Sequence, residues 1–275
     1  MEKRPIRSSY VANVGNKNKN NNCNNNNANA GAIVDSMMVK AINSETIMGV
    51  IPSGTINVLV KSLDMPDGIE ECCQTFACGT QKKIDIISVA STDPETRSSL
   101  PIRIFLNAAE LGIAAEIIDK SKKIRNKINS RLISTVSSLI STVSTYESTI
   151  YEIIIDDGRE TILTKVTMCI VANGKFLGGG FKAPPNADAS DGLLDIVILK
   201  NSNSLEMVSN FINIKKGTYN KDEDVLYIQA KKLLIKPKEE EETKRRDILV
   251  TIDGEPLGTL PATFQIIHDA LTVRM

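Results

Sequence analysis

The chain contains no tryptophan, and aromatic residues make up only 4% of its 275 positions. Its 33 basic residues are balanced by 33 acidic residues, so the formal net charge is zero. Proteins that bind nucleic acid by bulk charge need a positive surplus, and those that bind single strands need aromatic rings for stacking. We therefore expect no nucleic-acid partner.

Residues that bind zinc and other soft metals are also scarce. His268 is the single histidine, and the five cysteines show no zinc-ribbon spacing. We interpret the cysteines as reduced thiols and His268 as a strand residue rather than a catalyst. No apolar run approaches the roughly 18 residues of a spanning helix, and the N-terminus has no apolar core of signal-peptide length. We expect a cytoplasmic protein that is at most peripheral to a membrane.

Composition and periodicity divide the chain into three parts. Residues 1–30 include an asparagine tract and are expected to be disordered, because they have almost nothing to bury. Residues 31–77 are predicted to form a partial α/β domain, with a buried strand at 48–51 and a helix at 56–63. Residues 78–275 are predicted to form a larger, β-rich domain.

The β-rich part alternates apolar segments with turn residues. Asn173-Gly174 predicts a two-residue hairpin, and Asp253-Gly254 predicts another tight turn. The strands are predicted at 83–89, 102–106, 151–155, 166–172, 193–199, 225–228, 232–235, 248–252, 263–267 and 271–273, and helices at 112–123, 132–145 and 204–216.

A small turn links the strand and the helix of the α/β part, through the sequence Pro52-Ser53-Gly54-Thr55. Such a turn can hold phosphate, because its backbone N–H groups and the positive end of the helix point at the anion. Gly54 allows close approach, and Thr55 adds a hydroxyl group. A generic strand–helix connection remains the alternative.

Two acidic segments are candidates for cation binding and for proton transfer. Asp188, Asp191 and Asp195 follow the glycine run 178–180, and carboxylates with turn carbonyls at this spacing suit Mg²⁺ or Ca²⁺. A polar turn before a strand is the alternative. Glu255 follows the Asp253-Gly254 turn, where a carboxylate can accept a proton from an attacking hydroxyl group. An ordinary hairpin tip is the alternative.

Together and in this order, these segments resemble the diacylglycerol kinase catalytic-domain superfamily, which includes bacterial lipid kinases and sphingosine and ceramide kinases. The resemblance covers about residues 33–275. It is carried by GVIPSGTINVLVKSLDMP, FLNAAELGIAAEII, VANGKFLGGGFKAPPNADASDGLLDIVIL and VTIDGEPLG. It implies an α/β + β fold, in which the partial α/β domain (31–77) binds nucleotide and a β-sandwich domain (78–275) binds lipid, with the active site between them.

The resemblance also implies the reaction, an ATP- and Mg²⁺-dependent phosphorylation of a lipid hydroxyl group. Diacylglycerol, a sphingoid base and an isoprenoid alcohol all remain open as the substrate. The residues that the resemblance assigns are Ser53, Gly54, Thr55 and Asn57 for the ATP phosphates, Asp191 with the backbone carbonyls of Asp188 and Leu193 for Mg²⁺, and Glu255 as the general base.

One segment departs from the family pattern. Asn29-Ala30-Gly31-Ala32-Ile33 stands where the family has a GGDGT loop, and residues 1–28 are too short and polar to supply the expected upstream strands. Two other hypotheses therefore stay open: an impaired pseudokinase or lipid-binding module, and a diverged gene product without an independent role. A second copy or a partner is expected to cover the incomplete N-terminal domain.

A basic cluster offers a further hypothesis, contact with anionic lipid head groups at a membrane surface. A solvated helix face is the alternative. The cluster consists of Lys120, Lys122, Lys123, Arg125, Lys127 and Arg131.

Overall fold

The computed structural model describes residues 47–52, 57–125, 142–143, 145–200, 210, 213–214, 216–218, 224–238 and 247–275. The strands are β1 (Ile47–Met48), β2 (Gln81–Thr92), β3 (Arg103–Phe105), β4 (Ala108–Gly112), β5 (Thr149–Ile155), β6 (Glu160–Ala172), β7 (Leu194–Lys200), β8 (Val225–Ala230), β9 (Lys232–Pro237), β10 (Leu249–Ile252) and β11 (Glu255–Arg274). The helices are α1 (Val58–Ser62), α2 (Ile69–Cys78) and α3 (Ile113–Arg125).

The strands of the described residues form one sheet whose order closes on itself. The order runs β10-β4-β6-β5-β9-β11, and β11 pairs with β10 again. Strands β2 and β3 continue from β11, while β7 and β8 branch from β6. The N-terminal β1 joins the same sheet as a parallel partner of β11.

The largest apolar cluster lies inside this closed set of strands, and strands such as β5 supply it through alternation. In β5, Tyr151, Ile153 and Ile155 are fully buried, and the residues between them are half-buried. Phe264 of β11 is also fully buried and meets Phe105 edge to face, with ring centroids 6.4 Å apart. Large side chains in such a core supply most of the stabilisation of a domain.

Strand β11 is longer than the sequence predicts. The prediction of two strands at 263–267 and 271–273 was wrong, because one strand runs from Glu255 to Arg274. Its pairing with β2 shifts register between Ile267 and Leu271, where Asp269 has a positive φ of 54°. An irregularity of this kind lets a strand bend without ending.

The predicted hairpin at Asn173-Gly174 was also wrong. β6 ends at Ala172, but its antiparallel neighbour β7 begins only at Leu194, after a long connection. Gly174 is needed for close packing instead of a tight turn, because a Cβ atom there would lie 2.2 Å from the side-chain oxygen of Asn107. The Asp253-Gly254 turn is confirmed: both residues have positive φ, and they join β10 to β11.

Most other predicted strands match observed ones, and the helices predicted at 56–63 and 112–123 correspond to α1 and α3. The asparagine tract and most of the helices predicted at 132–145 and 204–216 lie outside the described residues. The domain boundary near residue 77 stays a prediction. Within the described ranges, no helix combines the length and the apolar character needed to cross a bilayer.

We expect Phe264→Ala to lower the free energy of unfolding by about 3–5 kcal/mol, because it opens a cavity at the centre of the core. Urea unfolding followed by circular dichroism measures this change. Leu163→Ala is the matched control: this side chain is 55% exposed, and its loss should cost less than about 0.5 kcal/mol. Equal losses in the two variants would contradict the proposed position of the core.

Candidate active site

The tip of the β10–β11 hairpin is fixed by a carboxylate. Asp253 accepts hydrogen bonds from the backbone N–H groups of Leu106, Asn107 and Ala108, each at 3.0 Å. Its own N–H donates to the carbonyl oxygen of Ala108 at 2.8 Å. The Asp253-Gly254 turn is therefore held against the connection between β3 and β4. Glu255 follows this turn as the first residue of β11, so its backbone position is also fixed.

Glu255, the predicted general base, points toward solvent and makes an ion pair. Its side chain is 73% exposed, and Oε2 lies 2.5 Å from the Nζ atom of Lys122 on α3. The exposed carboxylate is accessible to a substrate hydroxyl group. The geometry is thus compatible with a base at the tip of a hairpin.

The basic cluster on α3 is largely neutralised where it is described. Lys120 pairs with Glu116 at 3.8 Å, and Lys123 pairs with Asp119 at 2.6 Å, both within the helix. Lys127, Arg131 and the side chain of Arg125 lie outside the described residues. These pairings do not add support for a membrane-binding patch, so that hypothesis stays a prediction.

Helix α1, which follows the predicted phosphate turn, is tied to the same β3–β4 connection. The Ser62 hydroxyl donates to the side-chain oxygen of Asn107 at 2.8 Å and accepts from the N–H of Phe176 at 3.1 Å. The amide nitrogen of Asn107 donates to the carbonyl of Phe176 at 2.7 Å. Asn107 therefore contacts α1 through its side chain and Asp253 through its backbone.

Of the predicted nucleotide-contacting residues, only Asn57 is described, and Ser53, Gly54 and Thr55 lie outside the described residues. Asn57 precedes α1 in a left-handed conformation, with φ 49° and ψ 50°. Its side chain does not cap the helix. Its predicted contact with ATP stays a prediction.

The predicted cation-binding loop lies just before β7. The Asp188 carboxylate accepts from the N–H and the hydroxyl group of Ser190, and this hydroxyl hydrogen bond is the main cause that lowers the pKa of Asp188. Asp191 accepts from the N–H of Leu193 at 3.0 Å. Burial raises the pKa of Asp191, although the Leu193 hydrogen bond opposes the shift. The loop thus has one well-solvated and one partly desolvated carboxylate.

Asp195, the third acidic residue of this segment, is not part of the loop. It lies within β7, fully buried, and its Oδ1 accepts from Tyr227 and from Gln229 of β8. Burial raises its pKa to about 6. Asp195 therefore belongs to the sheet interior rather than to an open cation site.

A buried residue to which the sequence analysis assigned no role, Asp85 of β2, fixes this loop. Its Oδ2 accepts from the N–H of Gly192 at 2.7 Å, and its Oδ1 accepts from the N–H of Asp269 at 2.8 Å. The imidazole Nδ1 of His268 lies 2.8 Å from the same Oδ1. An aspartate inside the apolar segment KIDIISV was the available signal, because a buried carboxylate needs partners.

Asn173 connects the two anchored regions. Its side-chain nitrogen donates to the carbonyl oxygens of Asp85 and Leu106, at 2.9 and 3.0 Å. Its N–H donates to the carbonyl oxygen of Asn107 at 2.8 Å. The acidic loop, the hairpin tip and the end of α1 therefore share one hydrogen-bond network, which we call the anchor network; its members are Ser62, Asp85, Asn107, Asn173 and Asp253.

One buried carboxyl group beside the hairpin titrates far from its ordinary range. Glu110 of β4 is buried, and its Oε2 accepts from the Thr251 hydroxyl group at 2.8 Å. Burial raises its pKa to about 8 from an ordinary value of 4.5; Asp253 acts in the same direction, and the hydrogen bond with Thr251 and the charge of Lys122 oppose it. The group is neutral at physiological pH.

This shift has a consequence for stability. Between pH 4.5 and about 8 the folded chain keeps the Glu110 proton and the unfolded chain releases it, so stability falls as pH rises, by up to about 1.4 kcal/mol per unit. We expect Glu110→Gln to remove this part of the slope in urea unfolding at pH 5, 6.5 and 8. The exposed Glu160→Gln is the control, and a Glu110→Gln curve parallel to that of the wild type would contradict the assignment.

Comparisons with known proteins find two matching family models. Residues 30–89 match the family model of the diacylglycerol kinase catalytic domain. Residues 108–275 match the model of the YegS C-terminal NAD kinase beta sandwich-like domain. The anchor network includes residues from both matched regions.

Individual relatives are distant. A diacylglycerol kinase of Bacillus subtilis (strain 168) is 23% identical over 229 residues, covering 83% of this chain and 69% of the relative. One of Mycobacterium tuberculosis (strain H37Rv) is 31% identical over 120 residues, covering 44% of this chain and 36% of the relative.

A comparison with solved structures gives a similar fold. A crystal structure of a diacylglycerol kinase from Bacillus anthracis str. Sterne matches with a TM-score of 0.55 at 20% identity, covering 82% of this chain and 65% of that one. Its likeness shows the fold, which is mostly β in the described residues. The family model that matches residues 108–275 alone spans more than half of the sequence. The chain therefore belongs to the diacylglycerol kinase-like lipid kinase superfamily.

Proposed function

We propose that this protein is a lipid kinase that transfers the γ-phosphoryl group of ATP to a lipid hydroxyl group. The observation that supports it is the anchor network, which links the hairpin of Glu255, the acidic loop before β7 and the helix after the predicted phosphate turn. Relatives named diacylglycerol kinase support the same reaction class. The lipid is of the diacylglycerol or sphingoid type.

Glu255 is the proposed general base. Its carboxylate accepts the proton of the lipid hydroxyl group as that oxygen forms a bond to the γ-phosphorus atom, while the bond from phosphorus to the bridging oxygen breaks and ADP leaves. The exposed position of Glu255 suits a substrate that approaches from outside, and the anchored turn limits its motion. Positioning contributes much of the rate in this chemistry, because the reacting atoms must be in line.

The loop before β7 is the proposed Mg²⁺ site. Asp191 would supply a carboxylate oxygen, and Asp188 and Leu193 would supply backbone carbonyl oxygens. This all-oxygen donor set fits a hard cation. When bound, Mg²⁺ neutralises charge on the phosphates. The chain's own contribution is a loop that Asp85 holds in place.

We further propose that Ser53, Gly54, Thr55 and Asn57 contact the ATP phosphates, as the family resemblance implies. The α/β part and the β part would then flank the cleft that holds both substrates. What supports this is the attachment of α1 to Asn107 through Ser62, because a fixed helix gives the preceding turn a defined position.

A second candidate is a lipid-binding module that has lost nucleotide binding. The observation that favours it is the segment Asn29-Ala30-Gly31-Ala32-Ile33, which replaces the glycine-rich loop of the family. Each lost hydrogen bond to a phosphate weakens binding by roughly 1.5–3 kcal/mol. The two candidates differ in whether ATP binds at all.

Nucleotide binding is tested by thermal shift. The kinase proposal predicts that Mg²⁺-ATP at about 100 times its dissociation constant stabilises the protein by about 2.7 kcal/mol, a rise of a few degrees in the unfolding midpoint. Asp191→Asn should reduce the rise, and the matched change Asp157→Asn, in the turn between β5 and β6, should not. No rise at millimolar Mg²⁺-ATP would favour the lipid-binding module.

Catalysis is tested on Glu255. We expect Glu255→Gln to lower kcat by about 10²–10⁴-fold, because the amide cannot accept the proton. Transfer of radiolabelled phosphate to diacylglycerol, sphingosine and a polyprenol in mixed micelles measures it. Glu160→Gln is the control, since Glu160 is exposed at the far end of β6 from Asn173. Wild-type rates in Glu255→Gln would exclude this residue as the base.

A further inference from the structure

Lys122 differs from the other described lysines of α3. Lys120 and Lys123 pair with carboxylates of the helix itself, whereas Lys122 reaches out of the helix to Glu255 on the hairpin. Its side chain is 25% exposed, compared with 73% for Lys123. The aliphatic part of Lys122 is therefore largely covered, and its ammonium group emerges beside the proposed base.

The surroundings of Lys122 restrict it from the sheet side as well. Glu110 of β4 is buried close enough to Lys122 for the lysine charge to lower the pKa of that carboxyl group. The Thr251 hydroxyl group of β10 donates a hydrogen bond to the Glu110 carboxyl group. The ion-pair partner of the ammonium group is the exposed Glu255 carboxylate.

An exposed glutamate has several accessible rotamers, and selecting one of them for proton transfer has an entropic cost. A short ion pair to a lysine with a covered side chain reduces this freedom. Lys122 should therefore raise the rate with little effect on substrate binding.

We propose that Lys122 is a positioning residue of the phosphotransfer site, which orients the Glu255 carboxylate toward the lipid hydroxyl group. This inference rests on the proposed kinase function. Lys122 does not contact the reacting atoms; it acts through Glu255.

The test compares kcat and KM in four variants of the full chain. We expect Lys122→Met to lower kcat by about 10–100-fold and to change KM for the lipid by less than about threefold. Lys122→Arg should restore most of the rate, because its guanidinium group also pairs with a carboxylate. Lys236→Met is the matched control, because this lysine of β9 is ion-paired with Glu152 at 3.1 Å and belongs to no proposed site, and it should keep the wild-type kcat.

The fourth variant distinguishes positioning from a general structural effect. If Lys122 acts through Glu255, adding Lys122→Met to Glu255→Gln should lower kcat no further, whereas a structural role would lower it in both backgrounds. Circular dichroism and the unfolding midpoint confirm that each variant is folded. Should Lys122→Met not fold, Lys122→Gln, which keeps a polar end, replaces it.

The outcomes separate the two proposals. A wild-type chain that transfers phosphate, with an unchanged kcat in Lys122→Met, overturns the positioning role and leaves the kinase function standing. Equal losses in the wild-type and Glu255→Gln backgrounds, or no rescue by Lys122→Arg, also overturn it. A wild-type chain that transfers no phosphate to any lipid alcohol overturns both.

Discussion

Two aspartates whose charges are balanced by backbone N–H groups hold the candidate site together. Asp253 accepts three such hydrogen bonds from the β3–β4 connection, and Asp85 accepts two, from Gly192 and Asp269. Removing a carboxylate from water is costly unless donors replace the water. Hydrogen bonds to a charged group contribute about 1.5–3 kcal/mol each, so any loop movement that breaks them is opposed strongly.

This arrangement separates the rigid from the accessible parts of the site. The buried carboxylates do no chemistry in the proposed mechanism, but they define where the loops lie. Glu255, the proposed base, is mostly exposed and lies two residues from the anchor at Asp253. An enzyme that transfers phosphate to a membrane lipid needs both properties, since its base must reach a substrate outside the protein and still meet the phosphorus atom in line.

Local patterns predicted those parts of the fold that local physics decides. Alternation gave β5, and two residues able to adopt positive φ gave the Asp253-Gly254 turn. The Asn173-Gly174 pair has the same local preference, but the side chain of Asn173 bonds to Asp85 and Leu106, which lie far away in sequence. Helix α2 was not predicted, because only Cys72 of its ten residues is buried and its apolar pattern is weak.

The residues of the candidate site also divide into those that local sequence motifs predict and those that they do not. Glu255 and the acidic loop were predicted because they belong to short motifs that a reader can recognise in sequence. Asp85 and Lys122 were not assigned to the site, because their importance comes from partners 107 and 133 positions away, Gly192 and Glu255. Periodicity and spacing rules describe residues that are near one another in sequence, so they cannot predict contacts between residues this far apart. The folded structure shows these contacts directly.

The anchoring aspartates make nearly all their contacts with the main chain, and this has a consequence for how the sequence can vary. At Leu106, Ala108, Gly192 and Asp269 the donor is a peptide nitrogen, so the aspartates place no demand on the side chains at these positions. Proline is the exception, because it has no hydrogen to donate. The architecture can therefore drift widely in composition while its loops keep their shape, provided that the two acids stay.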